Sequence, residues 1–387
     1  MMNIAILVNE LNVRGGTHKQ VLRLCEYLKR QGVQFTVFTK IYESNKTYPE
    51  FSKLPVKTLA DLGIVFPGKR GKIGRMLDEI SVECRLARLL AHEYDIINVH
   101  DNGFPWVMRF AKNLNYKVFW QINDMPVCFL SGNATGRRDS LAFKLKRAMY
   151  RKLASSVDQI TVNVTKNKEL VQKLLGKDAK VLYCGVDSNS SLNMHAYPAQ
   201  GKTIHLLSTG VFFKYRNYET LVKTVHQLRG RGTDIVLDII GDTSWSKPYV
   251  DAVEAQVKAL DAGAYVNIWG RVDEAKYAEL YNDADIFAFV NINQSWGLAV
   301  FEAMSCGIPV IVSNSVGAIE LLHDGVDSAI VDPEDVDEIC AVIERLIRDS
   351  AYYQKLSVNG SKSVSSYTWD RMYSGRLLEL FKEALGQ

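Results

Sequence analysis

No stretch of the 387-residue sequence strings together about 18 apolar residues, the length a membrane-spanning helix needs. Proline is scarce, 9 residues against 26 glycines without a triplet period, which removes collagen-like and polyproline chains. Six cysteines, Cys25, Cys84, Cys128, Cys184, Cys306 and Cys340, lie at least 34 residues apart. No pair has Cys-x-x-Cys or metal-ligand spacing, so reduced buried thiols are expected. Seven histidines are scattered, none paired at i, i+4 on a helix, so no metal site is expected. The apolar start Met1–Val8 is too short for a secretory signal and is broken by Asn9-Glu10, which predicts a cytoplasmic chain. The order G-x-G-x-x-G is missing, and a dinucleotide-dependent enzyme loses its main support with it.

What is present is ordinary for a folded chain: 47% hydrophobic and 23% charged residues, which excludes disorder as the main state. The net charge of +4 conceals two unlike halves. Residues 1–200 carry 30 Lys and Arg against 17 Asp and Glu, or +13; residues 201–387 carry 17 against 26, or −9. The first half is thereby predicted to meet an anionic partner or membrane surface.

The length predicts two domains or three. Short apolar runs alternate with helical spacing. Asn3–Val8, Gln34–Thr39, Ile96–Val99, Lys117–Trp120 and Gln159–Val164 read as strands, and Val21–Arg30 as a helix with one apolar face. The second half repeats the design, with strands at Ile204–Ser208, Ile235–Ile240, Val266–Trp269, Ile286–Val290, Pro309–Val312 and Ala329–Val331. Helices are expected between them, among them Thr220–Leu228, Tyr249–Leu260, Glu274–Tyr281, Leu298–Met304 and Val336–Arg348. Such alternation predicts an α/β chain with two doubly wound parallel sheets. The boundary is expected in the polar stretch Ser188–Lys202. Ligands of such sheets bind outside the carboxyl ends of the strands, so functional residues are sought just after each one.

Arg14-Gly15-Gly16-Thr17 follows the first strand and opens a helix; it reads as an anion-approach loop or as a plain turn. Lys214 and Arg216, in the run Gly210–Arg216, are cations after the strand that opens the second half. They suit a diphosphate or are solvated surface charge. Asp283-Ala284-Asp285 precedes a strand, so it reads as structural and not as a metal site. The densest segment is NINQSWGLAVFEAMSCGIPVIVS, Asn291–Ser313. Backbone N–H groups at Gly297 and Leu298 open a helix there, and Glu302 lies one turn in, either reaching a ribose diol or standing as surface charge.

SWGLAVFEAMSCGIPVI resembles the donor-site signature of retaining glycosyltransferases of family 4, which have the GT-B fold. Tyr183-Cys184-Gly185-Val186-Asp187, Gly241-Asp242, Gly270-Arg271-Val272, Ser313–Glu320 and Tyr367-Thr368-Trp369 resemble further motifs of that family, in its order, so the likeness spans most of the chain. It implies two Rossmann-like domains facing a central cleft. Residues 1–190 would form the acceptor side and 203–366 the donor domain, and a helix within 367–387 would cross back to the first. It implies transfer of a sugar from a nucleotide diphosphate, with retention, no metal and no cofactor. Lys214, Arg216 and Gln294 would then be catalytic. Gly210, Gly241, Arg271, Val272, Ser295, Trp296, Gly297, Leu298 and Glu302 would bind the donor. Gly15, Gly16, His100, Asn123 and Asp124 would lie on the acceptor or phosphate side. Three positions depart from the family pattern, with Gln294 in place of its Glu, Val211 of its Arg and Asn123 of its His. Each keeps or allows hydrogen bonding nearby but removes a charge or proton carrier, as in a variant donor or acceptor site. The implied product is a cell-envelope or exported glycan; the second reading is a non-catalytic sugar-nucleotide-binding subunit of a partner transferase.

The implied partners are a nucleotide sugar and a glycan or lipid-linked acceptor, with no nucleic acid. Within the basic half, Arg137, Lys144, Arg147 and Arg151 share one helix face, while Leu141, Leu145, Ala148 and Leu153 are expected to pack inward. Lys69, Arg70, Lys72 and Arg75 form a second cluster. The stripe is either an anionic-lipid docking face, which would make the chain peripheral on the inner side of a membrane, or a solvated helix surface.

Overall fold

A computed structural model describes the chain apart from residues 1, 66–70, 112, 113, 115, 130–140, 188–194, 199, 200 and 295, and the side chains of residues 72, 73, 75 and 111. Two compact units result: Met1–Gly185 with Trp369–Gln387, and Val186–Thr368.

The first unit holds a sheet of seven parallel strands: β1 Asn3–Leu11, β2 Gln34–Tyr42, β3 Val56–Thr58, β4 Ile96–His100, β5 Lys117–Ile122, β6 Gln159–Val162 and β7 Ala179–Val181. Their order is β3-β2-β1-β4-β5-β6-β7. Leu7 stands opposite Phe38 on one side and Val99 on the other. The middle strands are buried on both faces, which is why they read as continuous apolar runs. The edge strands β3 and β7 are three residues long with a central lysine, Lys57 and Lys180. Short, lysine-bearing edges resist pairing with another chain, and they carry too little apolar pattern to be read from sequence.

The second unit repeats the plan with β8 Ile204–Thr209, β9 Ile235–Ile240, β10 Val266–Gly270, β11 Ile286–Phe289, β12 Val310–Ser313 and β13 Ala329–Val331, ordered β10-β9-β8-β11-β12-β13 and all parallel. Its core joins Leu206, Leu237, Ile239 and Ile286 to Tyr218, Val225 and Ile343 of the covering helices. In each sheet the order reverses once, between β1 and β4 and between β8 and β11. That switch point opens a crevice at the carboxyl ends.

The chain enters the second unit at Val186 and leaves it at Thr368, and the Val186 N–H donates to the Tyr367 carbonyl at 2.7 Å. The last helix, Gly375–Ala384, belongs to the first unit. Phe381 meets Phe119 edge-on at 4.7 Å, and Asp370 pairs with Arg30 at 2.6 Å.

One expectation is corrected. On the helix Leu141–Ala154, Leu141 is 73% and Leu145 64% exposed, and Ala148 is exposed too, while Leu153 is buried. The inward stripe is instead Phe143, Arg147, Tyr150 and Ala154, at steps of four, three and four. Tyr150 stacks near the buried Trp120 at 6.1 Å, and the Arg147 guanidinium donates to the Cys128 carbonyl. Arg147 thus anchors the helix, and only Lys144 and Arg151 of the described stripe stay exposed. Arg137, Lys69, Arg70 and the side chains of Lys72 and Arg75 lie outside the described residues.

Candidate functional site

In the second unit the residues singled out from sequence collect at the carboxyl ends of β8, β9 and β11. Gly210 ends β8 with φ +146°, and its N–H donates to the Ile240 carbonyl at 2.8 Å. A side chain there would fall 2.3 Å from the Arg216 guanidinium carbon, and one on Gly241 would fall 1.8 Å from the Gly210 carbonyl oxygen. The two glycines therefore let two strand ends and one arginine close on each other. Lys214–Arg216 is a tight turn that ends at Asn217, whose φ of +56° is tolerable because a short amide side chain can satisfy neighbouring carbonyls. Asn217 donates to the carbonyls of Val290 at 3.2 Å and Pro333 at 2.6 Å.

The turn is stitched to the loop after β11. Ile292 N–H donates to the Tyr215 carbonyl at 2.7 Å, and Arg216 reaches the Gln294 side-chain oxygen at 3.4 Å. Asn291, buried at the end of β11, touches both Arg216 and Gln294 through its amide. Among the described residues Arg216 Nε is buried without a protein partner, while Lys214 is exposed. The helix Leu298–Ser305 starts after Gly297 with no side-chain cap, so its first N–H groups are open to an anion. Trp296 is buried and stacks on Phe301 at 5.1 Å; Ser295 lies outside the described residues. Glu302 is half-buried, near enough to Tyr277 and Tyr281 for its charge to be felt by both phenols. Burial, with the carboxylate adding to it, pushes both phenols above their ordinary range. After β9, Asp242 accepts from the Ser244 N–H and pairs with Arg271 at 2.6 Å. Burial alone would raise its carboxyl, but those partners hold it below the usual value. Val272 is half-buried beside Arg271, before the Asp273 cap of the next helix.

In the first unit a polar network links the carboxyl ends of β4, β5 and β6 to the helix Gly16–Arg30, which also starts uncapped after Gly15. Asn123 donates to Thr17 Oγ1 at 3.2 Å and Gln20 Oε1 at 2.9 Å, and accepts from Gln121 at 3.1 Å. The Thr17 hydroxyl donates to Asp101 at 2.8 Å. Burial lifts the Asp101 carboxyl to about 6 against the hydrogen bonds from Asn123 and Thr17. His100 is buried against Asn98 at 2.8 Å, and burial, with His18 nearby, lowers its imidazole to about 3. It is neutral at ordinary pH. Asp124 is exposed. Asn123 therefore serves the network with both amide hydrogens engaged. In the sequence Thr17 and Asn291 stand out only as ends of longer segments, and Gln20, Asp101 and Asn217 do not stand out; for Asp101 and Asn217 the only local signal is an Asx residue directly after a strand or turn.

Among the described residues, no group of three His, Cys, Asp or Glu is placed to hold a metal ion, and no helix is long and apolar enough to cross a membrane.

The family model for Glycosyltransferase Family 4 matches residues 14–190, and that for Glycosyl transferases group 1 matches residues 191–363. The phosphatidyl-myo-inositol mannosyltransferase of Mycobacterium tuberculosis is 24% identical over 391 residues, covering 97% of this chain and 95% of that protein. Among solved structures, sucrose-phosphate synthase from Thermosynechococcus elongatus superposes with a TM-score of 0.80 at 18% identity, over 100% of both chains. Anabaena HepE in complex with UDP and glucose gives 0.77 at 16%, over 99% of this chain and 100% of that one. These structural likenesses concern the GT-B fold. With the two family models together covering the chain from residue 14 to residue 363, the chain belongs to glycosyltransferase family 4, the glycosyl transferases group 1.

Proposed function

We propose that this chain transfers a hexose from a nucleotide-diphosphate sugar to a glycan or lipid-linked acceptor, with retention and without a metal, in building a cell-envelope or exported glycan. One observation carries the reading: Arg216 lies against Gly210 and beside Gln294, at the switch point between β8 and β11. A cation fixed at a strand's carboxyl end meets the charge that grows on a departing diphosphate. Lys214, Arg216 and the open N–H groups at Gly297 and Leu298 share that charge, which is why no divalent cation is invoked. Gln294 donates to sugar hydroxyls, and Glu302 accepts from the donor ribose. The base lies by Gly241, Arg271 and Val272. Gly15, Gly16, His100, Asn123 and Asp124 form the acceptor side, where His100 and Asn123 hold the floor. The mycobacterial relative, by its name, mannosylates a phosphatidylinositol. That supports a lipid-linked acceptor, reached from the inner face of a membrane. Exposed Leu141 and Leu145 beside Lys144 and Arg151 suit docking on anionic lipid, with apolar tips between headgroups.

A thermal-shift screen of UDP, GDP and ADP and their hexose conjugates tests the donor site. A true donor nucleotide raises the melting temperature by mass action, about 2.7 kcal/mol at a hundredfold excess over Kd. Arg216→Ala and Glu302→Ala are expected to abolish that rise. No stabilisation of the unaltered chain by any of these compounds would refute the site. A non-catalytic sugar-nucleotide-binding subunit stays as the second reading because Gln294, Val211 and Asn123 stand where the family signature carries Glu, Arg and His. Release of free hexose from the stabilising donor by the purified chain decides for the enzyme.

A further inference from the structure

The loop after β8 carries aromatic rings as well as cations. Phe213 and Tyr215 flank Lys214 with their rings stacked 5.7 Å apart and 16° from parallel. Trp245, from the loop after β9, closes on Phe213 at 6.2 Å. Trp245 is 53% and Tyr215 38% exposed, and Phe213 is half-buried. Scattered exposed aromatics need no explanation, but a contiguous set does. This set is also held in place. The Tyr215 carbonyl is tied to Ile292, and the Arg216 guanidinium lies 5.3 Å from the Tyr215 ring. Both supporting loops leave the carboxyl ends of neighbouring strands, where such sheets bind ligands.

A contiguous, partly exposed aromatic patch suits a ligand that is itself a flat slab. A nucleobase and the C–H face of a pyranose both qualify. Resting on the donor reading above, which seats the base at Gly241, Arg271 and Val272, the free slab is a sugar. Exposed Lys214, between Phe213 and Tyr215 in sequence, supplies a donor to its hydroxyls. We propose that Phe213, Tyr215 and Trp245 form a stacking platform for a hexopyranose ring of the acceptor glycan, a second carbohydrate contact beside the diphosphate site.

The test uses the full chain with Tyr215→Ala, Trp245→Ala and the double variant. Methyl α-D-glucopyranoside and methyl α-D-mannopyranoside serve as probes in saturation-transfer NMR, and UDP and GDP in thermal shift. Saturation of the pyranose ring C–H protons is expected in the unaltered protein, with a fall of about fivefold in the double variant, the worth of a good aromatic contact. Tyr215→Phe with Trp245→Phe should keep the signal, which separates stacking from a folding defect. No saturation in the unaltered protein, or an unchanged signal in the double variant, overturns the platform. Loss of the UDP or GDP shift in the double variant also overturns it, since the rings would then hold the base. If none of UDP, GDP, ADP and their hexose conjugates stabilises the unaltered chain, the donor reading fails alone, and the sugar signal still judges the platform.

Discussion

Gly241 and Gly210 have different neighbours, and their substitutions should fail differently. A methyl on Gly241 meets backbone, the Gly210 carbonyl oxygen at 1.8 Å, which cannot swing away. A methyl on Gly210 meets the end of a flexible arginine, though its φ of +146° adds strain. Gly241→Ala is therefore expected to cost about 1–3 kcal/mol as overpacking, a fall of several degrees in melting temperature by calorimetry. Gly210→Ala should lose less stability than Gly241→Ala but weaken nucleotide binding more, because Arg216 must leave its place. Equal melting temperatures for Gly241→Ala and the unaltered chain would contradict the close approach. Positions such as these were legible from sequence only as glycines after strands. That Lys214 and Arg216 follow a strand could be read directly. The links from Arg216 to Asn291 and Gln294 could not, because they join loops some 75 residues apart in sequence.

Strands buried on both faces announce themselves as apolar runs, and so the central strands of both sheets were readable to within a few residues. The three-residue edge strands β3 and β7 were not, since a central lysine erases the run, whereas the equally short β13, Ala-Ile-Val, was. Helix Leu141–Ala154 shows the third case, a period that is legible with a phase that is not. Leucines and cations alternate on it, and counting hydrophobicity alone turned Leu141 and Leu145 inward. Tyr150, through its ring against Trp120, and Arg147, whose guanidinium finds the Cys128 carbonyl, hold the other face. The consequence can be measured. Leu141→Glu with Leu145→Glu should leave the melting temperature nearly unchanged, within about 0.5 kcal/mol, as exposed positions do. The same double variant should lose recovery with anionic vesicles in flotation while neutral vesicles show little binding of either protein. A drop of several degrees would mean that the leucines pack inward after all, and equal flotation would remove the docking face.

The longest-range feature is the return of the chain to its first unit. Trp369–Gln387 follows a complete second unit yet belongs with residues 1–185. Trp369, Tyr373, Leu377 and Phe381 are all at most 4% exposed, and Tyr373 reaches Gln121 at 3.4 Å, in the network that holds Asn123. Burying one such side chain is worth about 1.5–3 kcal/mol. Four together rival the whole stability of a domain, about 5–15 kcal/mol. The second unit, by contrast, has its own core and its own continuous chain, 186–368. A chain ending at Thr368 is therefore expected to lose the calorimetric transition of the first unit and keep that of the second. The less drastic Phe381→Ala should lower only the first transition, by about 3–5 kcal/mol. If the shortened chain melted as the full one does, the last helix would be an ornament on the first unit. Loss of both transitions together would instead make the two units one cooperative body.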